Sequence, residues 1–124
     1  MPKPAAKQDD KIIAIDIHLV SGSPMPLPFA GTLDGSFAAT VIVQDKLAAV
    51  VGSSATNSPA HLPPPGQTFD KPPSNQGVVI AGSATVLFND RAVARDGDPA
   101  ITCNDPADLP AGTVVASSTV IVGG

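Results

Sequence analysis

At 124 residues the chain has room for one domain, and its formal net charge of −4 supplies no basic footprint for nucleic acid or for an anionic membrane surface. With no Trp, no Tyr, 14 Pro and 11 Gly, Val, Ile, Ala and Leu must fill a narrow interior, with most of the length in strands and turns. One cysteine cannot close an internal disulfide, and no apolar run approaches the roughly 20 residues of a transmembrane helix.

Met1 to Asp10 (MPKPAAKQDD) is polar and lacks the apolar middle of a secretory signal. It reads as a flexible arm or as the thread into the first strand, leaving 11–124 as a single β domain. Lys11 to Val20 (KIIAIDIHLV) is a strand: Ile13, Ile15, Ile17 and Leu19 line one face, and Ala14, Asp16 and His18 the other. The alternation allows one buried face and one that carries function or meets solvent. Ser21 to Gly31 holds three prolines, which argues against helix and central strand. Thr32 to Ala39 leads into a hairpin beginning at Thr40.

Ser53 to Gly77 is too poor in apolar periodicity for a regular element and rich in proline. It reads as a stiff excursion across the outside of the domain. A second hairpin follows: a strand from Thr85 to Phe88, a turn at Asn89-Asp90, whose residues tolerate positive φ, and a strand from Arg91 to Arg95. Asp98 to Gly112 is the shorter counterpart of the first excursion. Thr113 to Ala116 and Ser118 to Val122 are the final strands.

The two hairpins repeat each other. A shift of 45 residues, from Thr40 to Thr85, lays TVIVQDKLAAVVGSSA on TVLFNDRAVARDGDPA, with identities at Thr40/Thr85, Val41/Val86, Asp45/Asp90, Ala49/Ala94, Gly52/Gly97 and Ala55/Ala100. A shortened third copy, Ser118 to Gly123, matches the first arm and stops at its turn. Reuse of one supersecondary unit implies arrangement about an axis or along a stack, here a pseudo-threefold object. Asp45 and Asp90 read as turn residues. Arg91, Arg95 and Asp98 read either as a catalytic cluster or as a solvated hairpin edge.

His18, His61 and Cys103 are the two histidines and the one cysteine of the chain. Because Gly52 and Gly97 are equivalent, the loops after them leave the two hairpins at the same end of the domain. His61 and Cys103 can therefore reach a common point near the axis, with His18 at the end of the first strand. Imidazole nitrogen and thiolate sulfur are ligands that Zn²⁺ prefers, and a metal would tie distant segments together where a small core is thin. No CxxC or HxxxH pair reinforces the pattern, so a solvated His18, a loop His61 and an inert buried Cys103 describe the same residues.

AAVVGS (Ala48 to Ser53) and VARDGD (Val93 to Asp98), each following a TV-strand hairpin, resemble the motif of PAAR-repeat proteins. NSPAHLP, CND and DIHLV resemble that family's metal-site segments, so the likeness runs from Asp16 to Gly123. The resemblance implies an all-β, small conical domain of repeated hairpins with pseudo-threefold symmetry and long Pro-rich loops. It would sit, one chain per trimer, on the trimeric VgrG-like spike of a contractile injection system (type VI secretion or an extracellular phage-tail-like particle). Its base would offer Val41, Val43, Val86, Phe88, Val120 and Val122 to the spike. At the apex the family binds a metal, usually zinc, through three histidines and a cysteine; His18, His61 and Cys103 match by position.

The chain departs from this pattern at Pro26-Leu27-Pro28-Phe29, where relatives read PLPHPF. Either water, Asp16 or Asp105 would then complete the shell, or the site is lost. The resemblance further implies a structural role without turnover, and synthesis in a bacterial cytoplasm without a signal peptide. The particle would carry the chain out of the cell and into transient contact with a target membrane, with any effector cargo bound separately, since no extension follows Gly124. Two other readings are a zinc hydrolase, for which Asp16 or Asp105 would have to serve as base, and a free-standing β adhesin or sugar-binding module.

Overall fold

The computed structural model describes residues 2–123; Met1 and Gly124, at the outer ends of the expected arm and domain, lie outside them. No helix occurs among the described residues. Three antiparallel strand pairs carry the fold: β2 (Lys11–Val20) with β3 (Ser23–Gly35), β6 (Ser54–Asn57) with β7 (Gln76–Val79), and β10 (Pro99–Thr102) with β11 (Leu109–Val115). They close edge to edge into a barrel in the order β10-β11-β2-β3-β6-β7, which removes most of the unpaired strand edge that a small open sheet would expose. Each pair is preceded in space by a short ladder: β1 (Lys3–Pro4) with β12 (Ile121–Val122), β4 (Ile42–Val43) with β5 (Lys46–Leu47), and β8 (Leu87–Phe88) with β9 (Arg91–Ala92). Gln44-Asp45 and Asn89-Asp90 join two of these ladders with positive φ at both turn residues, the conformation that matches the twist of a two-residue hairpin.

The pseudo-threefold arrangement is written in the backbone hydrogen bonds. The Ala6 N–H donates to the Ala94 carbonyl at 2.9 Å, the Ala94 N–H to Ala49 at 3.0 Å, and the Ala49 N–H to Ala6 at 3.0 Å, a closed ring of three. All three alanines are fully buried, as they must be where three strands converge and only a methyl group fits. One residue further on, the N–H groups of Lys7, Val50 and Arg95 donate to the side chains of Asp10, Ser53 and Asp98 at 3.0, 2.9 and 2.7 Å. Between them, Asp9, Gly52 and Gly97 occupy the left-handed region at φ 75°, 95° and 86°, and their N–H groups donate to Leu33, Val79 and Val114. Glycine suits two of these positions because a Cβ is penalised there.

This ring corrects several sequence expectations. Lys3 to Asp10, read as an arm or a leading thread, forms the second arm of the third hairpin, with Ala5 and Ala6 at the axis. Arg95 and Asp98 are neither a solvated edge nor a reactive cluster. They form a buried ion pair, with a guanidinium–carboxylate contact of 3.1 Å, that repeats the Lys7–Asp10 pair. Arg91 caps the carbonyls of Ser36 and Phe37.

The proline-bearing stretch from Ser23 is a strand after all. Pro24, Pro26 and Pro28 stand opposite Leu19, Ile17 and Ile15, alternate positions whose missing N–H groups fall on the edge turned away from β2. β6 covers that edge only from Gly31 onward, so no ladder bond is lost. The two excursions likewise begin and end as barrel strands. What remains loop runs over 58–75 and 103–108, and the first of these lies along the β2–β3 tip through the Ser21 N–H to Thr68 carbonyl and Asp70 N–H to Leu19 carbonyl bonds.

Two apolar clusters fill the interior. One, in the barrel, includes Ile12, Phe29, Leu33, Val79, Val114 and the axial alanines. The other, under the short ladders, includes Val43, Val50, Val93 and Val122. Val43 and Val122 therefore turn inward, Val41, Val86 and Phe88 are partly buried against the same cluster, and of the six residues expected at the base only Val120 is exposed. Alternation along each short strand turns the neighbouring residue outward instead. Ile42, Leu87 and Ile121, equivalent positions of the three ladders, are 58%, 60% and 57% exposed.

Candidate metal centre

β2 decides where the site lies. Its Ile13, Ile15 and Ile17 face outward and are exposed, while Ile12, Asp16, His18 and Val20 point into the barrel. An interior face that carries a carboxylate and an imidazole instead of aliphatics demands partners, because buried polar groups without them cost free energy. Those partners arrive from the ends of the other two strand pairs. His61 follows β6, and Cys103 follows β10 directly. Asp16, His18, His61 and Cys103 each present a ligand atom within 4.8 Å of the others, and all four are buried. The three residues singled out from the sequence converge, and of the two carboxylates considered with them Asp16 is the one inside the group.

Asp16 is fully buried and heavily solvated by protein. One carboxylate oxygen accepts from the Thr102 hydroxyl at 2.6 Å and faces the Asn104 amide nitrogen at 3.5 Å. The other lies 2.8 Å from His61 Nε2 and accepts from the Cys103 thiol at 3.4 Å. His61 is held on its remaining sides by asparagines. Its N–H donates to Asn75 Oδ1 at 2.9 Å, and its Nδ1 lies 3.3 Å from Asn57 Nδ2. Asn57 is itself fixed by the Ala30 N–H and by Asn75. These supporting residues, Asn57, Asn75, Thr102 and Asn104, were not picked out from the sequence. Nothing distinguishes them there from ordinary loop and turn residues.

Burial, and secondly the negative charge of Asp16, push the Cys103 thiol up to about 11, so without a cation the sulfur keeps its proton at neutral pH. His18 is 1% exposed, yet neither ring nitrogen has a hydrogen-bond partner. A buried imidazole orphaned at both nitrogens needs a reason, and a cation supplies one. Two imidazoles, one sulfur and one carboxylate are a donor set that suits Zn²⁺, and a dication would stabilise the thiolate that burial disfavours. The residues present fit a metal ion.

Asp105 lies on the far side of His18, with Oδ2 3.5 Å from Nδ1. The cleft reaching His18 and Cys103 is about 160 Å³, lined also by Lys71, Pro73 and Asp108. Residues 70–124 match the family model described as the PAAR motif. No curated protein matches the chain.

Proposed function

Because residues 70–124 match the PAAR motif, we propose that this chain is a PAAR-repeat protein that caps the trimeric, VgrG-like spike of a contractile injection system, one chain per trimer, with its apex stapled by one zinc ion. The observation that carries the reading is the base. Ile42, Leu87 and Ile121 come from three ladders related by the alanine ring and are exposed to within a few per cent of one another. A single chain gains nothing from three equal apolar projections unless its partner offers three equal receptors. Large aliphatic side chains left in water in this arrangement mark a docking surface, and their burial supplies the free energy of association.

The metal reading assigns His18, His61 and Cys103 as ligands with Asp16 as the fourth. Leu27, in the stretch where relatives carry the additional histidine, is the register partner of Asp16 across β2 and β3. The carboxylate therefore sits beside the position that lacks an imidazole. Bound zinc would contribute cross-linking among β2, the loop after β6 and the end of β10, and no redox chemistry. A cleft of about 160 Å³ falls below the roughly 300–1,000 Å³ of ordinary ligand pockets, which supports a structural role over turnover. The carried effector and the target membrane belong to the same proposal.

The test is co-purification with a threefold β-helical spike trimer. Retention of the chain at micromolar concentration is expected, and its complete recovery in the unbound fraction would overturn the assignment.

A further inference from the structure

Cys103, Asn104 and Asp105 are consecutive, and all three act on β2. Cys103 reaches Asp16, and Asn104 Oδ1 accepts from the Ile17 N–H at 2.7 Å. Asp105 does most. Its own N–H donates to the Ile17 carbonyl at 2.8 Å, and its Oδ2 accepts from the Leu19 N–H at 2.7 Å. It thus braces the strand on both sides of His18. The same Oδ2 lies 3.5 Å from His18 Nδ1, and both side chains are almost wholly buried. His18 then has a carboxylate at one ring nitrogen and the Asp16–His61–Cys103 group within reach of the ring, yet no completed hydrogen bond at either nitrogen.

We propose that Asp105 is the positioning residue for His18, holding the Nδ1–H tautomer so that Nε2 turns its lone pair to the metal. The inference rests on the metal reading above. A histidine ligand is effective only with the proton on its other nitrogen, and a carboxylate acceptor there fixes both the tautomer and the ring orientation. The arrangement also couples two jobs in one tripeptide. The segment that supplies the sulfur ligand sets the imidazole ligand from a strand some 85 residues earlier in the chain.

The test uses the full-length protein and Zn²⁺, with affinity read by competition against a chromogenic chelator. Asp105→Asn keeps an oxygen for the Leu19 N–H but offers no anionic acceptor to Nδ1–H. We expect unchanged stoichiometry and roughly 10- to 100-fold weaker zinc binding. In a His18→Ala background, Asp105→Asn should add no further loss. In the metal-free wild type, ¹⁵N spectra should show the His18 Nδ1–H tautomer, and in metal-free Asp105→Asn a mixture. Zinc affinity within twofold of wild type, or an equal loss in the His18→Ala background, overturns the role of Asp105 while leaving the metal site standing. A wild-type chain that takes up no zinc overturns the metal reading itself, and this inference falls with it.

Discussion

Replacing Ile42, Leu87 and Ile121 together by serine removes the three side chains that project from the base. Burying a whole Leu or Ile side chain contributes about 1.5–3 kcal/mol. With 58%, 60% and 57% of these residues still exposed, each has about 1–2 kcal/mol left to gain on docking, and the three together about 3–5 kcal/mol. At a factor of ten per 1.4 kcal/mol, the triple variant should bind the spike roughly 10²- to 10⁴-fold more weakly. The roughly 40% of each side chain that is already buried contributes about 0.6–1.2 kcal/mol, so the triple variant should also lose about 2–4 kcal/mol of monomer stability. Affinity is therefore compared at a temperature below the unfolding transition of the free variant, where it is folded. The assay is a binding titration on immobilised spike trimer, run with each single variant beside the triple. Symmetry predicts three single losses of similar size, each roughly five- to thirtyfold. An unaltered affinity in the triple variant, or one position carrying the entire loss, would refute the argument from equivalence.

Three further outcomes follow from the apex and the axis. Elemental analysis should find close to one zinc per wild-type chain and markedly less in Cys103→Ser; equal or absent metal in both would remove the site. The metal-free thiol, pushed up to about 11 by burial and by Asp16, is protonated when folded at pH values where an unfolded thiol, near 8.5, already ionises. A raised pKa means stability fully present below the unfolded value and lost as pH rises toward the folded one. Metal-free protein should thus unfold more readily between pH of about 9 and about 11, and Cys103→Ser should flatten that slope in denaturant titrations. Finally, Val122 pairs with Lys3 as Phe88 pairs with Arg91. Joining them by a two-residue Asn-Gly turn, with new termini opened in the 58–75 loop, should give a permuted protein that folds and binds zinc. A permutant without cooperative unfolding would contradict the closure of the third repeat by residues 3–10.

Much of this was legible in the sequence because the repeat obliges equivalent residues to do equivalent work. Gly52 and Gly97, Asp45 and Asp90, and Ala49 and Ala94 announced turns and axis positions, and each holds the place the alignment implies. The third copy is half hidden. KPAAKQDD matches KLAAVVGS at Lys3/Lys46, Ala5/Ala48 and Ala6/Ala49, but it lies at the opposite end of the chain from its partner strand, so the two arms of this hairpin are not adjacent in sequence. The prolines of β3 misled because local propensity says nothing about which strand edge is covered. Along the ladders the outward face lies one residue from five of the six positions expected to face outward, Val120 excepted, since in a two-residue strand the inward and outward faces differ by a single step and Val and Ile are equally apolar. The approach of His61 and Cys103 to one point followed from the repeat register, and His18 joins them from β2. The pairing of Asp16 with that group, and of Asp105 with His18, depends on strand register across long separations, which composition does not encode.

The central claim is that one polypeptide presents a threefold face to three identical chains. The molar mass of the purified complex, measured by native mass spectrometry, tests it most directly. One copy of this chain on three spike chains is the predicted mass. Three copies per trimer, or a mixture of ratios, would show that the chain docks through a single hairpin and that its symmetry serves something else.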